Sequence, residues 1–180
     1  MSVRPALLLA ALLVAGGCNP QAPKNGGRPA ASPTSAATAL SLHITGRGSA
    51  NAPVRIIQQI HNRVEYELLA SSFESWGPQG KTRTVFSNAR VTFHGNDGSS
   101  TRADAPRAIV DETMRAVTMV DGVHASTATG MALTCDRLVY DRATQMLHGY
   151  GHVTIVDPKG FRATGSTFDS DVSLTHMRMK

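Results

Sequence analysis

The sequence predicts an all-β fold, an open and progressively twisting stack of antiparallel strands forming one domain. Three observations predict it. Apolar and polar residues alternate through most of the chain after Val54, the period-2 signature of strands with one covered face. A valine-led strand reaches a glycine seven residues on in three places, Val91–Gly98, Val123–Gly130 and Val153–Gly160, with starts separated by 32 and 30 residues. No window of this region has a convincing 3.6-residue helical period.

The elements follow in chain order. Arg4 supplies a positive start, and Ala6 to Ala15 is an unbroken apolar run. A spanning helix needs about 20 apolar residues, so this shorter run reads as the core of a signal peptide over residues 1–17. The run closes on Ala15-Gly16-Gly17-Cys18, which looks like a lipobox. It has Ala15 where the commonest form has leucine. Cys18 is the expected lipidation site, and two or more acyl chains there would hold the mature protein on a membrane without crossing it. Residues 18–53 are then the lipidated cysteine and a linker. The segment is rich in Pro, Ala, Gly, Ser and Thr and too poor in large apolar groups to offset its ordering entropy. Only Leu40–Ile44 has the makings of a strand within it. Residues 54–180 form the predicted β domain, an ordinary length for one domain.

Within that domain Ile56, Ile57, Ile60 and Val64 fit a helical face, but Val64 to Leu68 alternates, and the stretch is read as strand. After each repeat glycine comes a second strand: Ser100–Asp104, Met131–Tyr140 and Phe161–Phe168. Acidic turns follow at Asp111-Glu112, Asp141 and Asp169–Asp171. Asn96-Asp97-Gly98, Asp121-Gly122 and Asp157-Pro158-Lys159-Gly160 carry the chemistry of tight turns. The pairs expected on one covered face are Val91 and Phe93, Val117 and Met119, Met131 and Leu133, Leu138 and Tyr140, Val153 and Ile155, and Val172 and Leu174. Hairpins repeated at such a period bury their apolar faces only against their neighbours.

Composition narrows the function classes. The formal charge is +5, one unit of which leaves with Arg4. The cations, among them Arg83, Arg90, Arg102, Arg107 and Arg115, form no run, and together with the export signal this argues against nucleic acid. With Cys18 acylated, Cys135 stands alone, so no internal disulfide is expected and Cys135 reads as a small buried filler. His148 and His152 lie four apart, yet no Cys, Asp or Glu stands at ligand spacing beside them, so no metal and no cofactor is expected. The acid pairs Asp136 and Asp141, and Asp169 and Asp171, sit where β-turns ordinarily place acids, and no hydrolase, phosphate-loop or metalloprotease motif occurs. The chain is not expected to be an enzyme.

Four segments, taken together, carry a resemblance. They are Val117-Thr-Met-Val-Asp-Gly-Val123, Cys135-Asp-Arg-Leu-Val-Tyr-Asp141, Leu147-His-Gly-Tyr-Gly-His-Val153 and Phe161-Arg-Ala-Thr-Gly-Ser-Thr-Phe-Asp169. In order and spacing they resemble the LptC family and its OstA-like relative LptA, over about Val64 to Met179. The resemblance implies a β-jellyroll-like scaffold whose two open layers shield the acyl chains of lipid A during lipopolysaccharide export. It implies lipid contact at Val91, Phe93, Val117, Met119, Met131, Leu133, Leu138, Tyr140, Val153, Ile155, Phe161 and Phe168. It also implies an exposed partner edge in the last strand, at Val172, Leu174 and His176. The expected partners are lipopolysaccharide, an LptA-like bridge protein and an inner-membrane ABC transporter, and the expected place is the periplasm. The lipobox departs from the family, whose members are commonly held by a transmembrane helix. The alternative is a lipid-anchored adaptor that uses the same scaffold only to pair sheet edges with other proteins.

Overall fold

A computed structural model describes residues 42–78 and 80–180. Among these residues there are eleven strands and no helix: β1 (Leu42–Arg47), β2 (Val54–Ile60), β3 (Arg63–Ala70), β4 (Ser72–Gly77), β5 (Arg83–His94), β6 (Ser100–Asp111), β7 (Ala116–Thr127), β8 (Ala132–Asp141), β9 (Met146–Val156), β10 (Arg162–Asp171) and β11 (Met177–Met179). All pairings are antiparallel, and the sheet is open, running β1-β4-β5-β6-β7-β8-β9-β10-β11. Strands β2 and β3 branch from β5. The all-β expectation and the open antiparallel stack therefore hold.

The repeat glycines do what their spacing implies. Gly98, Gly130 and Gly160 have φ between +82° and +88° and close the hairpins β5–β6, β7–β8 and β9–β10. This is the left-handed region that a residue with a Cβ enters only at a cost. At the opposite end Asp111, Asp141 and Asp171 recur at even spacing and accept backbone N–H groups of the turns that follow them, from Met114, from Ala143 and from Thr175. Short acids fold back on their own backbone in this way at turns.

One feature of the long strands organises everything else. Each is interrupted near its middle, and the interruptions line up across the sheet. Register shifts fall between Asp104 and Arg107, Val120 and Val123, Thr134 and Arg137, and Gly165 and Thr167. Asn88, Asp121, Gly122, Gly151 and His152 all adopt positive φ along this line. Bulges of this kind bend a strand and let it fold over. At Gly151 (φ +72°) a Cβ would meet the Asp136 carboxylate at 2.2 Å, so this corner admits only glycine without rearrangement.

The bent strands contribute to two layers. The first holds β2, β3 and the halves of β5–β10 nearest the repeat glycines. The second holds β1, β4, β11 and the other halves. In β5 the inward residues change from Phe86 to Ala89, Val91 and Phe93, and in β8 from Leu133 and Cys135 to Leu138 and Tyr140. The bulge shifts the alternation by one, so both halves still face inward. Phe93 of the first layer meets Tyr140 of the second with ring centroids 4.7 Å apart. The outer corner is laced by polar pairs: Arg90 to Asp104 at 2.6 Å, Arg107 Nη2 to Asp121 at 3.1 Å, and the Arg137 guanidinium 4.5 Å from the Tyr150 ring.

Four expectations are corrected. The sheet begins at Leu42 rather than Val54, because β1 pairs with β4 from Leu42↔Gly77 to Arg47↔Ser72. The linker read as 18–53 therefore gives its last part to the domain, including the Leu42–Ile44 portion of its strand-like run. Cys18 and the signal segment lie outside the described residues. Asp121-Gly122 closes no hairpin; it is the corner of β7. The same left-handed dipeptide makes a bend where both flanking halves already have strand partners. The run Ile56 to Leu69 is two strands rather than one, joined at His61 and Asn62, which both have positive φ. Finally, Ser100–Asp104 continues through Pro106 to Asp111, with the proline placed at the bulge where no ladder hydrogen bond is lost.

Candidate functional site

The two layers are closed against each other at one side and part at the other. On the closed side Tyr66, Leu68, Val91, Phe93, Met119 and Tyr140 fill the interior. A largely buried ion pair spans the gap: Arg142 Nε donates to buried Glu65 Oε2 at 3.1 Å, and the guanidinium stands 5.9 Å from the Tyr66 ring centroid. Burial pushes the Tyr66 hydroxyl up to about 12 and raises Tyr140 further. Glu65 Oε1 and the Tyr140 hydroxyl are both buried and neither has a hydrogen-bond partner among the described residues.

On the other side, toward the end of β8–β10, lies an open cavity of about 490 Å³. Met131, Ile155, Phe161 and Ala163 line it from the first layer, and Leu174, Met177 and Met179 line it from the C-terminal segment. Its origin is local. Ala163 projects little where β3 and β5 carry Tyr66 and Phe93, so the first layer leaves this stretch unfilled. The lining is mostly hydrocarbon, and the few polar neighbours, Thr129, Asp157 and Thr175, stand at its rim. A pocket of this size and lining suits one small apolar ligand or one part of a larger one.

The twelve residues given a lipid-lining role separate into two groups. Met131, Ile155 and Phe161 line the cavity, and Phe161 is 69% exposed. Val91, Phe93, Val117, Met119, Leu133, Leu138, Tyr140, Val153 and Phe168 are at most 1% exposed and are closed core in this structure. The physical reason is that alternation identifies the inward face but not whether the opposite layer touches it. Ala163, Met177 and Met179 were not expected in the site, although the alternation of Phe161-x-Ala163 and Met177-x-Met179 was there to be read.

The partner edge is also corrected. Val172 and Leu174 are buried in the core rather than displayed on a strand. They belong to the turn after β10, and the Thr101 hydroxyl donates to the Val172 carbonyl. The exposed edge at this end of the sheet is β11, paired to β10 over three residues. His176 is exposed, and its Nδ1 is 2.9 Å from the Asp171 carboxylate. Burial opposes ionisation of Asp171, but donors from His176, Ser173 and Thr175 outweigh it and hold its carboxyl well below the usual range.

Among the described residues no three His, Cys, Asp or Glu side chains converge on a metal-sized site. His148 lies on one arm of β9 and His152 at its corner, each beside one carboxylate, Asp169 at 2.7 Å and Asp136 at 2.8 Å. Cys135 is buried and free, as its setting implied, and burial pushes its thiol up to about 11. No protein-family model and no curated protein matches the chain.

Proposed function

We propose that this domain handles lipid in the bacterial cell envelope, taking an acyl chain between its two layers as a component of lipopolysaccharide export. The observation that carries this reading is the open hydrocarbon-lined cavity bounded by Met131, Ile155, Phe161 and Met177. Phe161 and Met177 add exposed apolar surface at its opening, and contiguous apolar surface of this kind marks ligand-binding grooves. The resemblance of the four segments to the LptC and LptA families gives the class of occupant, the acyl part of lipopolysaccharide. An anchor at Cys18 would hold the domain at a membrane surface in the periplasm. An inner-membrane ABC transporter and an LptA-like bridge protein would be its partners in the transfer.

A second reading, an adaptor that pairs sheet edges, has one observation in its favour. Edge strand β2 has neighbours on one side only and exposes both Ile56 and Ile57. Apolar open edges are templates for an added strand.

Photo-crosslinking in cells separates the two. Probes at Met131, Ile155 and Phe161 are expected to give lipopolysaccharide adducts, with a probe at Lys159 as the surface control. Probes at Phe93 and Leu133, sealed in the core, are expected to give none. Protein adducts at Ile56 without lipid adducts at the cavity would replace the transport reading with the adaptor.

A further inference from the structure

The cavity has one wall of a different kind from the rest. Met131, Ile155 and Ala163 sit on long strands paired along their length, or beside their ends. Met177 and Met179 sit on β11, the shortest strand of the sheet, held by β10 on one side only. Three register pairs hold it: Phe168↔Met179, Asp169↔Arg178 and Ser170↔Met177. Beyond them the Lys180 carbonyl accepts the N–H groups of Ser166 at 2.7 Å and Thr167 at 3.0 Å and the Ser166 hydroxyl at 3.1 Å, and Lys180 N–H donates to the Thr167 carbonyl at 3.1 Å.

The segment leading into it is anchored much more firmly. Leu174 is fully buried, and the Asp171 carboxylate accepts from Thr175 N at 3.0 Å and from the Thr175 hydroxyl at 3.1 Å. Past Thr175 the apolar anchoring fades: Met177 is 43% exposed and Met179 only partly buried. Few buried contacts and a short ladder mark the segments that open at low free energy.

A glycine is placed where this segment lies down. A Cβ on Gly165 would stand 2.7 Å from both the Lys180 carbonyl oxygen and Met179 Cγ, which is closer than real contacts allow. Gly165 does not have a positive φ, so it is the approach of the C-terminal segment that excludes a side chain here.

We propose that residues 176–180 form a displaceable strap that gates the cavity, swinging about the anchored turn at Leu174 and Thr175. Seated, the strap narrows the opening and covers the edge of β10. Released, it takes Met177 and Met179 away from the opening and lets an extended chain enter beside Ile155 and Ala163. The proposal rests on the reading that the cavity receives an acyl chain.

The test compares two variants of the full chain in a Cys18→Ser background, with binding of a dansyl-labelled fatty acid followed by stopped-flow fluorescence. Asp169→Cys with Arg178→Cys places two thiols at cross-strand partner positions, where an antiparallel pair suits a disulfide. Buried Cys135, with its raised thiol, does not compete. Oxidation is expected to slow association by about ten-fold or more, and reductant to restore it, because only the open fraction of a gated site accepts ligand. Gly165→Val, which keeps the strap from seating, is expected to speed association above that of the parent. Equal rates in the oxidised, reduced and Gly165→Val forms would overturn the strap while leaving the cavity reading intact. Absence of any fluorescence change in all forms would overturn both.

Discussion

The closed and open sides of the domain share the same alternation and the same repeat, yet one is a core and the other a cavity. At β3, β5 and the β8 terminus the inward positions are Tyr66, Phe93 and Tyr140, large enough to meet across the layers. At β10 the first-layer residue facing the cavity is Ala163, too small to reach across. The Glu65–Arg142 pair ties the layers on the closed side. On the open side the ties are the three-residue ladder of β11 and the turn held by Asp171. Side-chain volume, rather than a change of fold, decides where the sheet seals.

Substitutions at matched aromatic positions should break this comparison first. Phe93→Ala removes a sealed ring and is expected to cost about 3–5 kcal/mol of folding stability, measured by urea denaturation. Phe161→Ala, in the cavity, should change stability by no more than about 0.5 kcal/mol. Equal losses at the two positions would mean that the cavity is packed in solution.

The charged ties give the next largest contrast. Glu65→Ala leaves the largely covered Arg142 guanidinium without its partner, a loss of up to about 3 kcal/mol. Asp121→Asn at the exposed corner, which retains a residue tolerant of positive φ, should cost less than about 1 kcal/mol. A corner substitution as damaging as Glu65→Ala would show that the outer polar lacing, not the buried pair, sets the angle between layers.

The smallest effect belongs to Cys135. Burial raises its thiol, so the folded protein holds that proton more tightly than the unfolded chain does. The stabilising contribution is full below the ordinary thiol value of 9.0 and is lost as pH rises through about 11. The thiol should resist alkylation at pH 8 until denaturant is added, with Cys18→Ser removing the second thiol. Prompt labelling of the native protein would place Cys135 on the open side of the comparison instead.

Much of the fold was legible because its signals are local. Gly98, Gly130 and Gly160 announce left-handed turns, and the recurring Asp111, Asp141 and Asp171 announce the opposite ends of the strands. The corner was not legible, since Asp121-Gly122 has identical chemistry in a hairpin and in a bulge; neighbouring strands decide between them. The β2–β3 hairpin was missed for the converse reason, as His61 and Asn62 turn the chain without glycine or proline. For the candidate site, inward residues could be read from alternation. Which of them are sealed depends on the layer opposite, a contact made between residues such as Phe93 and Tyr140 far apart in the chain.

The even spacing of Asp111, Asp141 and Asp171 gives the domain a unit of length. Each span from one aspartate to the next adds two strands at about 4.8 Å apiece, so one more such unit would advance the trough by about 10 Å. Because each unit carries its own turn acid, corner and turn glycine, an insertion would leave the preceding units undisturbed. The reach of such a protein is then a matter of counting repeats, adjustable in steps without redesigning either end.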